Sequence, residues 1–240
     1  METRLIPEKA RKLSGSMLKL LAMILMLIDH VGFVIVSRRP QVTLLTVMGR
    51  SLTLYTFVRF LGRASFPLYA FLLVEGFLHT RDRGRYALRL GVCALMSEMP
   101  FDLAFYGKYM DWAHQNIFIT LLLGFLGLWA LDALRGKGWK QFLCLGALFL
   151  LAILSHCDYG VKGFGLVLLL YLLLAWPIPR AIVGSGYLST TWQAGLAFVP
   201  IAFYNGKRGF VRGPGLQFAF YLFYPVHLLV LFWLRMKLGL

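Results

Sequence analysis

Acidic residues are scarce in this chain: ten Asp and Glu stand against 25 Lys and Arg, for a net charge of +15. The low acid content still leaves room for a carboxylate site, because several of the ten lie inside apolar stretches. Cysteine is scarcer. Cys93, Cys144 and Cys157 are odd in number and show no CxxC spacing, so neither a disulfide framework nor a cysteine metal site follows, and no metal is expected. Internal repeats, low-complexity tracts and long polar linkers are absent, which excludes solenoid and multi-module designs. A glycine-rich phosphate loop of the soluble nucleotide-binding kind is also absent.

Apolar residues fill the space. They make up 59% of the chain against 15% charged residues, with mean hydropathy +0.71. Soluble domains run at roughly 45–50% apolar and about 25% charged. The composition therefore predicts an all-α fold, a polytopic transmembrane helix bundle. Residues 1–16 read as a cytoplasmic N-terminal segment and 17–240 as a single bundle domain in a bacterial cytoplasmic membrane. The positive charge invites a nucleic-acid partner, but the cations lie mostly in short loops between apolar runs, as membrane proteins arrange them to set orientation. Membrane lipid, not nucleic acid, is the expected surroundings.

Eight spans are expected, with both termini cytoplasmic. The first is Met17–Val36, preceded by Arg4, Lys9, Arg11 and Lys12. No small-residue cleavage site follows it, so it reads as a retained helix. The second lies within Leu52–Thr80, where Pro67 removes the bond to the Arg63 carbonyl and predicts a kink. The third covers Tyr86 to Tyr106, the fourth Asn116–Leu134, the fifth Gln141–Cys157 and the sixth Phe164–Trp176. Ala181–Tyr204, rich in Gly, Ser and Thr, reads as a tilted or partly re-entrant crossing. The loop after it, 205–214, falls outside on this count. Leu216–Leu234 is the last span.

Ionisable residues inside apolar helices are costly and mark function or mutual pairing. Asp29 and His30 sit about two-thirds along the first span. Arg59 and Arg63, Glu98 and Asp102, and Asn116 and Thr120 are each four apart and so share a helix face. On the eight-span topology all of them gather in the outer half of the bundle. The two arginines and two carboxylates then satisfy one another across adjacent helices, as site residues or as a structural ion-pair network. Tyr221, Tyr224 and His227, spaced by three, add a polar stripe on the last span beside Pro225. A polar cavity open to the outer side is the expectation. Asp158 with Lys162 reads as a solvated turn, and His114 as a loop histidine.

The motifs MLIDHVG at 26–32, GRASFPLYAFLLVEGFLHT at 62–80, SEMPFD at 97–102, YNGKRG at 204–209 and FYLFYPVHLLV at 220–230 resemble the TraX family. The resemblance runs in order from Met17 to Leu231. Its namesake N-acetylates conjugative pilin, and the family resembles more distantly the large membrane acyltransferases with a catalytic histidine in the first membrane helix. The resemblance implies an acetyl-CoA-dependent acyltransferase with His30 as general base or transient acyl carrier, and with a peptide, protein or small-molecule acceptor that it does not name.

The residue chemistry fits that implication. Acyl transfer from a thioester needs a base near neutral pH, which histidine supplies. Asp29, adjacent in sequence, lies about 100° around the helix from His30. It suits a pairing with Arg59 or Arg63, while Glu98 or Asp102 is the expected orienter of His30. Arg63, Asn116 and Tyr224 are candidate oxyanion donors. Arg59 and His227 are placed among the substrate-binding residues, with Asn205, Lys207 and Arg208 for phosphates or an acidic acceptor. Two other classes compete: a transporter with an intramembrane polar site, disfavoured by the lack of an inverted repeat, and a non-catalytic assembly factor.

Overall fold

The computed structural model describes residues 6–47, 50–211 and 213–240. Arg4 and Arg212 lie outside the described residues. The fold is the expected all-α transmembrane bundle. Its helices are α1 (Gly15–Val34), α2 (Leu54–Gly62), α3 (Ser65–His79), α4 (Arg83–Tyr106), α5 (Ile117–Ala133), α6 (Trp139–Leu154), α7 (Gly160–Leu172), α8 (Pro177–Tyr187), α9 (Phe198–Ala202) and α10 (Pro214–Lys237). Three stretches are long and apolar enough to cross a bilayer alone: Gly15–Arg38, Leu54–His79 and Gly215–Lys237.

Local sequence explains the boundaries. Ser14, Thr53, Asp82 and Asn116 cap α1, α2, α4 and α5, each side chain accepting a first-turn N–H. The expected kink falls at Arg63–Ala64, which separates α2 from α3, with Pro67 in the first turn of α3. Between the first two expected spans, and into the start of the second, the chain forms an antiparallel pairing of β1 (Thr43–Val47) on β2 (Arg50–Thr53). Arg38 closes the end of α1 by donating to Phe33 and Val34 carbonyls at 2.8 Å, and reaches Phe105 of α4 at 2.9 Å.

The core centres on Phe71, Phe77, Phe125, Leu68 and Leu128, all fully buried. α5, apolar all round, is enclosed by α4, α6 and α7. Small residues let backbones approach: Gly124 packs under Val167, and Gly127 under Phe164. α6 lies at the periphery. Phe142 and Leu154, 78% and 61% exposed, present the apolar surface expected toward lipid.

The chain path corrects the expected topology. α8, eleven residues long, rises only about 16 Å, half of a ~30 Å hydrocarbon core. Tyr187 at its end meets Val161 and Gly165 of α7. The 3-10 stretch Ser189–Ala197 and α9 then return to the level where Tyr204 packs on Phe71 and bonds Glu75. Segment 181–204 thus takes the re-entrant form, with its irregular backbone buried against α3.

In consequence the loop expected outside, 205–214, lies at the N-terminal end of α1. Gly15 N–H donates to the Lys207 carbonyl at 2.8 Å, Ser16 N–H to Arg208 at 2.9 Å, and Asn205 N–H to Leu13 at 2.9 Å. α10 therefore runs parallel to α1, and Arg235 reaches Ala104 near the far end of α4. Among the described residues the re-entrant pair takes the place of one of the eight expected crossings, so α1 starts and α10 ends on opposite sides of the bundle. Free first-turn N–H groups of α1 supply the physical reason, because the loop carbonyls satisfy them.

Candidate active site

A cavity of about 610 Å3 runs inside the bundle. Its deep end is lined by Asp29, His30, Gly62, Ser65, Asp158, Tyr159 and Tyr224. Its other end is lined by Lys19, Arg81, Arg89 and Arg208, beside the first turn of α1. The cavity therefore reaches toward the N-terminal end of the bundle, opposite to the expected outer opening.

His30 is buried among Phe105, Tyr224 and His227, with ring centroids at 5.1, 5.9 and 5.0 Å. Its Nδ1 lies 2.7 Å from Nε2 of His227, and Nδ1 of His227 lies 2.7 Å from the Phe223 carbonyl. A carbonyl only accepts, so in the neutral pair Nδ1 of His227 holds the proton and its Nε2 is a lone-pair acceptor. Nδ1–H of His30 must then donate to it. The remaining nitrogen of His30, Nε2, is left with its lone pair free, and no described residue bonds it. The expected orienters, Glu98 and Asp102, do not make this bond. His227, from α10, does.

Asp29 pairs with Arg59, as expected of one of its two candidates, at 2.5 Å from Nη1 to Oδ2. The contact exists because α2 lies against α1, where Gly62 leaves no room for a Cβ beside Asp29. Oδ1 of Asp29 is buried without a partner. Arg63 donates to the Tyr159 hydroxyl at 3.3 Å and lies over its ring. Asp158, read as a solvated turn, is an exposed residue of that turn, and it also lines the cavity. The protein atoms packed around the cavity wall hold its carboxyl above the usual range, with Arg63 acting in the opposite direction. Burial and the Asp158 charge push the Tyr159 hydroxyl up to about 12.

The predicted network of Arg59 and Arg63 with Glu98 and Asp102 does not form. Glu98 accepts from both the backbone and the side-chain amide of Asn116, and Asp102 accepts from Asp111 N–H at 2.7 Å. The physical reason is the packing partner: α2 faces α1, whereas this face of α4 meets α5 and the 107–115 turn. Asn116 is consumed as well, donating to Ala94 at 2.8 Å and capping α5 through Phe118 N–H at 2.9 Å. It is a helix cap and has no donor left for an oxyanion. Thr120 donates to the Asp158 carbonyl, and that bond holds the turn against α5.

On the α10 stripe, Tyr221 and Tyr224 line the cavity and His227 stands behind His30. Asn205 accepts from Lys207 N–H at 2.9 Å, a local turn contact, and Arg208, unlike Lys207, lines the cavity. Tyr159, Lys19 and Arg89 were not among the expected site residues, and Asp158 was expected only as a turn. Lys19 had a legible signal, a cation one turn inside a long apolar helix.

The family model for the TraX protein matches residues 14–235. The chain belongs to the TraX family. It is also 30% identical over 248 residues to a probable fimbrial assembly protein FimC, serogroup H1, from Dichelobacter nodosus, covering 91% of this chain and 94% of that protein. No solved structure matches. Every residue of the deep end, from Asp29 through His227, lies within the TraX match, so the cavity is a feature of the family region of the chain. Among the described residues no cluster of His, Cys, Asp and Glu is arranged to hold a metal.

Proposed function

We propose that this TraX-family membrane protein is an acyltransferase that moves an acetyl group from acetyl-CoA to an amine or hydroxyl acceptor, with His30 as the general base. One observation supports the reading above the others: the Phe223–His227–His30 chain leaves Nε2 of His30 unprotonated at the deep end of an internal cavity. The acceptor N–H or O–H gives its proton to that nitrogen as it attacks the thioester carbonyl. The new C–N or C–O bond forms, the C–S bond breaks, and the CoA sulfur leaves and is reprotonated from His30. The Nδ1–H bond to His227 stabilises the imidazolium in between. Tyr224, at the ring edge of His30, is the better-placed oxyanion donor.

The acceptor class we propose is a peptide or protein N-terminus or another molecule outside the cytoplasm. The name of the Dichelobacter nodosus relative supports a fimbrial or pilin-type substrate. The N-terminal end of the bundle, rich in Lys and Arg, is assigned to the cytoplasm of a bacterial cell by the positive-inside rule.

Purified protein incubated with radiolabelled acetyl-CoA and an amine-bearing acceptor peptide tests the proposal through CoA release and label transfer. His30→Ala is expected to remain folded and to lose about 10³-fold in rate, within the span of general-base contributions. Activity within a few-fold of wild type in that variant overturns it. A second reading, assembly without chemistry, also draws on the relative's name, and stands if wild-type protein releases no CoA while still supporting fimbrial assembly.

A further inference from the structure

The cations at the N-terminal end of the cavity take no part in the chemistry at His30, and they are placed together. Lys19 of α1 lies over the Phe220 ring at 5.4 Å and lies close enough to Arg208 to feel its charge. Arg89 of α4 lies over Tyr86 at 5.4 Å and against the Tyr221 hydroxyl. Lys19, Arg89 and Arg208, from three elements, thus border one cavity, with Arg81 of the α3–α4 turn at its rim. Like charges held close cost free energy unless an anion shares them.

Among the described residues, none of Lys19, Arg89 and Arg208 pairs with a carboxylate. Glu75, the carboxylate that lines this end of the cavity, is engaged elsewhere, accepting from the Tyr204 hydroxyl at 2.9 Å and lying 4.0 Å from His79. Arg208 is also held in place by its backbone. Its carbonyl accepts from Ser16 N–H and Oγ–H at 2.9 and 2.7 Å, while Val211 N–H donates to Ser16 Oγ at 2.8 Å. The side chain is left free of any structural duty in that joint.

We propose that Lys19, Arg89 and Arg208 form a binding site for the phosphate groups of the acyl donor, a 3′-phosphorylated adenine nucleotide carrying the thioester on a long arm. The proposal rests on the acyltransferase reading and names where the donor's charged end sits. Lys19 and His30 are eleven residues apart on one helix, a rise of about 16 Å, and an extended pantetheine-type arm spans that distance inside the cavity. Anionic lipid headgroups offer the same phosphate chemistry. The inward course of the cavity from these cations to His30 favours the nucleotide.

The test measures calorimetric binding of CoA and of adenosine 3′,5′-bisphosphate to the full chain in neutral phosphatidylcholine nanodiscs. Wild-type protein and His30→Ala are expected to bind both. Lys19→Met, Arg89→Met and Arg208→Met are each expected to weaken the bisphosphate by about tenfold or more and to raise the KM for acetyl-CoA in parallel. Higher salt is expected to weaken wild-type binding more than that of the variants. Unchanged bisphosphate affinity in all three variants overturns the site, as does absence of wild-type binding. Bisphosphate binding that phosphatidylglycerol abolishes at equal salt assigns the cations to lipid instead and overturns it too. Bisphosphate binding lost on substitution, in a protein that transfers no acetyl group, leaves the phosphate site standing and the acyltransferase reading fallen. Acetyl transfer with variants indistinguishable from wild type does the reverse.

Discussion

Two carboxylate groupings stand at the distal end of the bundle and do opposite things. Asp29 and Asp158 face the cavity beside Arg59 and Arg63. One oxygen of each of Asp29, Glu98 and Asp102 is buried without a partner, so facing the cavity, not a free oxygen, sets the first grouping apart. Glu98 and Asp102 face away from it, accepting from Asn116 and from Asp111 N–H. Asp29, Glu98 and Asp102 read alike in the sequence, as acids in apolar helices, while Asp158 reads as a solvated turn. The difference teaches that a buried carboxylate's role is decided by which helix it faces. One spent on backbone N–H groups and caps is part of the scaffold, and one left open to a cavity is available to a ligand.

The sharpest way to break this comparison lies behind His30. His227→Leu removes the acceptor that holds the His30 tautomer and is expected to cost about 10²- to 10³-fold in transfer rate. His227→Gln offers an amide oxygen where Nε2 stood and is expected to recover most of that loss. Equal rates in the two variants, measured with folded protein, would mean that His227 only fills space.

The two carboxylate groupings are separated next. Asp29→Leu strands Arg59 and is expected to cost about 3–5 kcal/mol, and the Asp29→Leu, Arg59→Leu pair should regain stability without regaining activity. Asp102→Leu, by contrast, strands only Asp111 N–H, at about 1–3 kcal/mol, and leaves the transfer rate of the folded fraction within a few-fold of wild type. Denaturation midpoints and initial rates on the same preparations check both, and full activity in the Asp29, Arg59 double variant would erase the distinction.

The smallest effect concerns Asp158. The protein atoms packed around the cavity wall, with the Asp29 charge, hold its folded carboxyl above the ordinary value against the pull of Arg63. A raised carboxyl means the folded state binds more protons than the unfolded one, so the charged form costs stability above the folded pKa. That cost disappears as pH falls through the folded value toward the unfolded one near 4. Asp158→Asn is therefore expected to raise the thermal midpoint slightly at pH 7, solvent at the exposed carboxyl screening the effect, with the gain shrinking to nothing as pH approaches about 4. A midpoint gain that grows at acid pH contradicts a raised Asp158 carboxyl.

Helix identity and membrane character were determined by sequence alone. Twenty-residue apolar runs, capping residues at 14, 82 and 116, and the Pro67 break are local properties, set by hydrophobic burial and by backbone hydrogen bonds within a few residues. His30 was legible for the same reason, as a polar ring inside an apolar helix, and so was the α10 stripe through His227. Only the tertiary structure decided what these residues meet. The Arg59 and Glu98 pairs share the same spacing on paper, but helical spacing fixes a face and not the neighbour on that face. The loop at 205–209 was misplaced because its fate depends on the first-turn N–H groups of α1, some 190 residues away. The joining of His30 to His227, 197 residues apart, depends on parallel packing of α1 and α10. No local pattern encodes that packing.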